Sequence, residues 1–306
     1  MAEVTAKLIQ ELREMTSAGM MDCKAALTEC AANIQDAADW LRQKGIVKAA
    51  KKADRVAAAG LVAPAVSEDG TLGVVVEVNA ETDFVAKNEK FQKLVGDVVQ
   101  TALKVYGECG CTCDGVCDCD EKCFSKLNDA MGDEVKNLIA TIGENMNIRR
   151  ASAVGGDAVY TYVHNALVPG MGQIGVIVAL NGDIAKSAEI GPKIAMHIAA
   201  NKPEFGTIAE VNPESVEREK KVFIESGATA GKPEMVVEKM VAGRIQKYYS
   251  ESVLTEQPFV MDPDKTVKAV LADAGVTLAG FKYFLLGEGI AKREDNLADE
   301  VAKMLG

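Results

Sequence analysis

The chain has 306 residues, 48% of them hydrophobic and 26% charged, and carries a formal net charge of −11. That length accommodates two or three domains with a substantial core, and the composition is ordinary for a folded globular protein. The acidic balance weighs against direct nucleic-acid binding, which needs clustered positive charge, and no apolar run approaches the ~18 residues of a membrane span.

The N-terminal stretch "MAEVTAKLIQELREM" interleaves charged and apolar residues, unlike a signal peptide or an Arg-rich transit sequence, so the expected location is the cytoplasm. Val4, Leu8, Leu12 and Met15 form a helical stripe. Gly19 suits the turn that ends it, and Asp22 is placed to N-cap a second helix, "CKAALTECA". A third short helix carries Ile34, Ala37, Ala38 and Leu41 and is expected to end near Gly45. In "AGMM", Met20 and Met21 sit side by side at a turn. Adjacent side chains diverge, so one can pack inward while the other offers a flexible contact to a partner. The basic stretch Lys48 to Arg55 reads as a solvated helix end and linker rather than a binding patch.

β character begins with "LGVVVEVN", Leu72 to Asn79, after the turn "EDG". The next residues, "NAETDFVAKNEKF", put Phe84 where the chain should be turning. An aromatic there either caps the core beneath it or projects toward something else, and Asp83 can cap the following helix. That helix is amphipathic, with Phe91, Leu94, Val95, Val98 and Val99 at helical spacing.

Eight cysteines occur, six of them in "ECGCTCDGVCDCDEKC", Cys109 to Cys123, interleaved with Asp114, Asp118 and Asp120. Thiolates this dense can bind soft metals, yet the separated CxxC pairs of a structural zinc site are missing. The bland reading is an insertion between two helices with reduced thiols. Cys23 and Cys30 lie two helical turns apart, roughly 10 Å, beyond disulfide reach.

About a hundred residues on, "IGVIVALNGDIAKS", Ile174 to Ser187, repeats the first strand: Gly73 matches Gly175, Val74 matches Val176, Val76 matches Val178, and Asn79 matches Asn181. A helix-like run follows each copy, so the pattern reads as a duplicated α+β unit whose first copy alone carries extra loop residues around Thr82 and Phe84. "NPESVEREKKVFIESG" starts with a capping Asn212 and Pro213, and "GKPEMVVEKMVAGRIQKYY" follows a Gly-containing reversal. Val216, Phe223 and Ile224 on one arm and Val237, Val241, Ile245 and Tyr248 on the other predict a projecting antiparallel helical hairpin. A closing strand, "AGFKYFLLGEGI", leads to a terminal helix with Leu297, Val301 and Leu305 on one face.

No phosphate-binding loop, GxSxG elbow or HExxH helix occurs. Of the two histidines, His197 sits in an apolar helix and reads as a packing residue, and His164, at a strand end, reads as structural. Catalytic residues are therefore not expected, and the chain reads as a binding protein rather than an enzyme.

"TSAGMMDCKAALTE", "TDFVAKNEKF", "IGENMNIRR", "AMHIAANKPEF" and "QPFVMDPDKTV", in order across nearly the whole chain, resemble bacterial elongation factor Ts. The resemblance implies an α+β fold: an N-terminal three-helix (UBA-like) module with linker over 1–55, a first core half over 56–150 with a Cys-rich insert at 107–123, and a second core half over 151–306. That second half holds a protruding helical hairpin at 211–250 and a C-terminal helical module. It implies a guanine nucleotide exchange factor for elongation factor Tu, without covalent chemistry, without a cofactor, and without nucleic acid or membrane as partner. The residues it implies for displacing the partner's Mg²⁺ are Thr82, Asp83, Phe84 and Val85. Met20, Met21, Ile142 and Gly143 are implied as further partner contacts. The Cys109 to Cys123 segment departs from the family pattern, as does "LVPGMG" after His164, which reads as a lengthened hairpin. The alternative function is a thiol-based metal-binding or redox protein using Cys109 to Cys123.

Overall fold

The computed structural model describes residues 4–16, 18–50, 52–109, 119–227 and 232–291, with backbone alone for 45–50 and 119. The chain opens with three helices, α1 (Ala6–Thr16), α2 (Met20–Glu29) and α3 (Ile34–Ala50). Leu12, Cys23, Ala26, Leu27 and Ala37 form their small core, with Val4 and Leu8 packed on it. Three sequence expectations change here. Gly19, not Asp22, is the N-cap of α2, and Asp22 lies within its first turn, where a carboxylate suits the helix dipole. Met15 remains largely exposed instead of joining the buried stripe. The third helix runs through Gly45 to Ala50, because one glycine costs only about 1 kcal/mol and the helix gains a packing partner in α6 (Cys119–Ile142).

Next come β1 (Ala59–Val66) and β2 (Leu72–Ala80), a hairpin closed by the turn at Ser67–Gly70. A one-turn helix, α4 (Asp83–Ala86), precedes the long α5 (Glu89–Cys109) and α6, and β3 (Met146–Gly155) follows. The strand β3 therefore runs past the division expected at 150. The second half repeats the plan. β4 (Ala158–Val168) and β5 (Met171–Gly182) make a hairpin around Pro169–Gly170, within the "LVPGMG" stretch. Then come α7 (Ile184–Asn201), α8 (Pro213–Glu225), α9 (Glu234–Ser252), a small β6 (Pro258–Phe259) and β7 (Asp262–Thr266) ribbon, α10 (Val267–Asp273) and β8 (Val276–Leu285).

The repeat is topological as well as sequential. β2 is the centre of an antiparallel β1-β2-β3 sheet, and β5 the centre of β4-β5-β8; the two join where Val62 pairs with Gly172. Alternation along each central strand divides its side chains between two cores. Val74, Val76 and Val78 face α5 and α6, whereas Val176, Val178 and Leu180 face the helices of the second half. Val62, Val75, Val159, Ile177 and Ala179 meet between the sheets. The matched glycines have reciprocal roles there. A Cβ on Gly73 would stand 2.5 Å from Val159 Cγ1, and one on Gly175 would stand 2.5 Å from Val62 Cγ1, so each half needs its glycine for the other to approach.

A carboxylate is buried in this inter-sheet layer. Glu77 accepts from Arg149 (3.0 Å), Arg150 (2.6 Å), the Gly287 amide (2.8 Å) and Asn79 (3.1 Å). Burial pushes its pKa up, but the Gly287 amide and the Arg150 and Arg149 guanidinium groups outweigh that, and the net position is below the usual carboxylate range. The cluster fastens the turn after β8 to β2 and β3. His197 is a packing residue, as its apolar helix indicated. Its Nδ1 accepts from the Val260 amide (3.2 Å), so Nε2 carries the proton donated to Gln257 (2.9 Å). Desolvation lowers its pKa and keeps it neutral. His164 lies within β4 rather than at its end; it is exposed and meets the Tyr162 hydroxyl at 3.2 Å.

The hairpin of α8 and α9 projects, as its polar exterior predicted. Asn212 caps α8 by accepting from the Glu214 amide (2.8 Å), and Pro213 is its first residue. Val216, Phe223, Val237, Val241, Ile245 and Tyr248 are half-buried along the seam, clipped by Arg244 to Glu219 at 2.5 Å. Ile224 instead lies exposed, because the seam stripe passes through Phe223. Residues 228–231, where the reversal was expected, and the expected terminal helix with Leu297, Val301 and Leu305 lie outside the described residues.

Candidate partner-binding site

At the end of β2 the backbone leaves the sheet with Ala80 buried, and Glu81 and Thr82 turn it into α4. A four-residue helix cannot hold itself together, since one turn fixes six dihedrals for about one hydrogen bond. Its conformation therefore depends on anchors. Val85 and Ala86 supply the inward one, at 4% and 5% exposure within the first-half core. Phe84, between Val85 and Asp83, has nowhere to go but outward, and 76% of it is exposed. The aromatic at the turn is thus not a lid on the core. Val85, expected among the partner-facing residues, is a core residue, because neighbouring positions on one helical turn cannot all face the same way.

Thr82 is the N-cap residue, but its hydroxyl does not cap the helix. It reaches across to Glu144: the Thr82 amide donates to Oε2 at 3.0 Å and the hydroxyl to Oε1 at 2.9 Å. Asp83, expected to cap the next helix, is the first residue of α4 and pairs with Lys87 Nζ at 3.0 Å. The cap of α5 is Asn88, whose Oδ1 accepts from the Lys90 amide at 2.9 Å. Lys87 also stands 5.7 Å from the Phe84 ring centre, the range of a cation–π contact. One lysine thus braces both members of the Asp83–Phe84 pair while leaving the ring open to solvent.

Ile142 ends α6 and packs partly on the core, and Gly143 follows with φ +91°, a conformation that favours glycine. Directly after them, Glu144 holds Thr82, and the Asn145 amide donates to Glu81 Oε1 at 2.5 Å. The Asn145 side chain donates to the carbonyls of Ala53 (3.2 Å) and Arg55 (2.7 Å), and Lys52 donates to the Gly143 carbonyl. So the Thr82–Phe84 turn and the Ile142–Gly143 turn are bound together, with the linker from the helical module tied to both. Met20 and Met21 open α2 and are 60% and 76% exposed, so neither is the core residue expected of the pair. Met20 lines a groove with Ile9, Arg13 and Lys90, the last on the first turn of α5, just after the Phe84 turn.

Glu81, Glu144, Asn145 and Lys52 carry no motif, and sequence reading did not single them out. Glu144 and Asn145 lie inside the quoted segment "IGENMNIRR", but the partners that define their roles are 62 to 92 positions away. Nothing local announces such a bond.

The arrangement presents exposed side chains on braced turns, a surface suited to recognition. Among the described residues, no three His, Cys, Asp or Glu side chains converge where a metal ion could be held. Cys109 closes α5 and Cys123, near the start of α6, is buried in the first-half core, so the segment expected as an insert at 107–123 is helical at both ends. Cys111, Cys113 and Cys117 lie outside the described residues, and the thiol-metal reading finds no support elsewhere. No helix among the described residues is long and apolar enough to cross a membrane.

Comparison with known proteins agrees in one direction. The family described as elongation factor TS matches residues 81–288. The chain is 51% identical over 308 residues to elongation factor Ts of Hyphomonas neptunium, covering 99% of each protein. It is 49% identical to elongation factor Ts of Parvibaculum lavamentivorans, covering 99% of this chain and 98% of that one. It is also 49% identical to that of Rhodospirillum centenum, covering 100% of each.

Proposed function

The chain belongs to the elongation factor Ts family, a translation elongation role, and on that premise we propose that it is a guanine nucleotide exchange factor for elongation factor Tu. The observation that carries the proposal is Phe84, a largely exposed aromatic on a one-turn helix braced from both sides. An apolar ring held in water has no folding role, and its exposure fits a wedge for another protein's pocket.

The physical task is small. Mg²⁺ in a GTPase bridges nucleotide phosphates and protein oxygens and demands near-ideal octahedral geometry. Inserting a ring between the partner's side chains displaces the groups that orient the ion, and ion and phosphates loosen together. Thr82 and Asp83 set the ring's position, Ile142 and Gly143 form the neighbouring contact, and Met20 and Met21 supply adaptable thioether contacts from the helical module. Covalent chemistry plays no part. The factor must only bind the nucleotide-free partner more tightly than the nucleotide-bound one. A coupling of about 1.4 kcal/mol changes nucleotide affinity tenfold, and by reciprocity GDP or GTP expels the factor. The work belongs in the cytoplasm, beside the ribosome's supply of elongation factor Tu.

Stopped-flow release of a fluorescent GDP analogue from elongation factor Tu tests the reading. The expected result is a saturable acceleration with rising concentration of this protein. Release that stays at its spontaneous rate at all concentrations would reject it.

A further inference from the structure

We infer that Glu144 is a positioning residue for exchange, one whose carboxylate sets the trajectory of Phe84 without itself touching the partner's nucleotide site. The inference rests on the exchange reading and adds to it a residue outside the three contact segments.

Four observations converge. First, α4 is one turn long and its N-terminal end has no side-chain cap of its own. Second, Glu144 supplies what is missing, from 62 residues away: Oε2 accepts from the Thr82 amide (3.0 Å) and hydroxyl (3.1 Å), and Oε1 from the hydroxyl (2.9 Å). Hydrogen bonds to an ionised acceptor are roughly twice as strong as neutral ones, and two acceptor atoms fix direction as well as distance. Third, the adjoining Asn145 is joined to Glu81 on the same turn and to the carbonyls of Ala53 and Arg55, while Lys52 reaches Gly143. Glu144 thus sits where the Phe84 turn, the Ile142–Gly143 turn and the linker to the Met20–Met21 module are pinned to one another. Fourth, the repeat shows that strand can pass into helix without an inserted turn of the kind Glu144 holds. In the second half, β5 passes directly into α7, capped locally by Asp183, which accepts from the amides of Ala185 (2.9 Å) and Lys186 (3.2 Å). Asp157 does accept from the Gly182 amide (2.9 Å) at the end of β5, but that bond lies within the β4–β5 hairpin and holds no inserted turn. Glu144, by contrast, reaches 62 residues to hold the start of α4.

Without Glu144 the Val85–Ala86 anchor remains, so the chain should fold, but the ring's approach is no longer fixed. A wedge that must be ordered on arrival acts more slowly than one already in place. The loss falls on the maximum stimulated rate more than on the concentration giving half-maximal stimulation, because the remaining contact surface is intact.

The test is a double-mutant cycle in the fluorescent-GDP release assay, with wild type, Glu144→Ala, Phe84→Ala and the double variant, each checked for folding by thermal unfolding. Glu144→Ala should lower the maximum rate about tenfold. In the Phe84→Ala background the same substitution should change almost nothing, since there is no ring left to aim. Glu144→Gln keeps one amide oxygen as acceptor and should fall between; it also carries the cycle if the alanine variant does not fold. A folded Glu144→Ala with full activity, or a loss that persists by the same factor without Phe84, overturns the inference. If wild type itself fails to accelerate release, it is the exchange reading that falls.

Discussion

Replacing Phe84 by alanine separates partner energetics from folding energetics cleanly. The ring is 76% exposed, so its removal costs the fold little beyond the contact with Lys87. Surface changes of this kind usually stay within about 0.5 kcal/mol, less than ~2 °C in melting temperature for a chain of this size. Binding is different. An aromatic side chain buries roughly 150–250 Å² when fully covered. About three quarters of that is still available, or ~110–190 Å², which at about 25 cal/mol per Å² corresponds to a gross ~3–5 kcal/mol. Imperfect burial and the retained Cβ reduce this to the ~2–3 kcal/mol typical of an anchoring aromatic. At 1.4 kcal/mol per decade, GDP release stimulated by Phe84→Ala should be about 30- to 150-fold slower than with wild type. The assay is stopped-flow release at saturating factor, with circular dichroism melting as the folding control. Release within twofold of wild type by a normally folded variant would refute the reasoning, because it would mean the exposed ring inserts into nothing.

Other expectations concern the supports. Val85→Ala removes two methyl groups from a core position and should destabilise by about 2 kcal/mol, seen as a melting temperature lower by about 4–8 °C; an unchanged melting temperature with exchange abolished would return Val85 to the partner-facing surface. For Glu77 the folded pKa is depressed, so its stabilisation is complete above the ordinary glutamate range near pH ~4.3 and disappears as pH falls through the folded value. Glu77→Gln should therefore melt well below wild type at pH 7, by several kcal/mol of stability, and converge with wild type as the pH falls below about 4 in calorimetric scans. A gap that stays constant with pH would show that packing rather than charge holds the site. No described residue from Pro213 to Glu251 is buried, so replacing that hairpin with a short linker should leave the melting transition intact and exchange within about threefold of wild type, far less than the Phe84 effect. Complete loss of exchange on that deletion would move the functional centre to the hairpin.

Periodicity revealed what depends on periodicity. The α5 stripe from Phe91 to Val99 and the matched strands around Gly73 and Gly175 were legible because each repeats at the period its structure requires. β1 was not, since "AGLVAPAV" alternates poorly and includes Pro64, yet pairing with β2 along its length makes it a strand. Gly45 misled because tertiary packing of α3 on α6 outweighs one weak helix former. At the site, the oddity of an aromatic at a turn was readable from Phe84 alone. The inward turn of Val85 was not, since that depends on where a single helical turn is anchored. The clamp of Glu81, Glu144 and Asn145 was invisible for a stronger reason: each bond spans more than sixty residues, and only the fold brings its ends together.

A crystal structure of this protein with nucleotide-free elongation factor Tu tests the central claim most directly. The account predicts the Phe84 ring buried between side chains that neighbour the partner's Mg²⁺ and phosphate site, with Thr82 still held by Glu144. A complex in which that ring stays in solvent, or lies far from the nucleotide site, would contradict it.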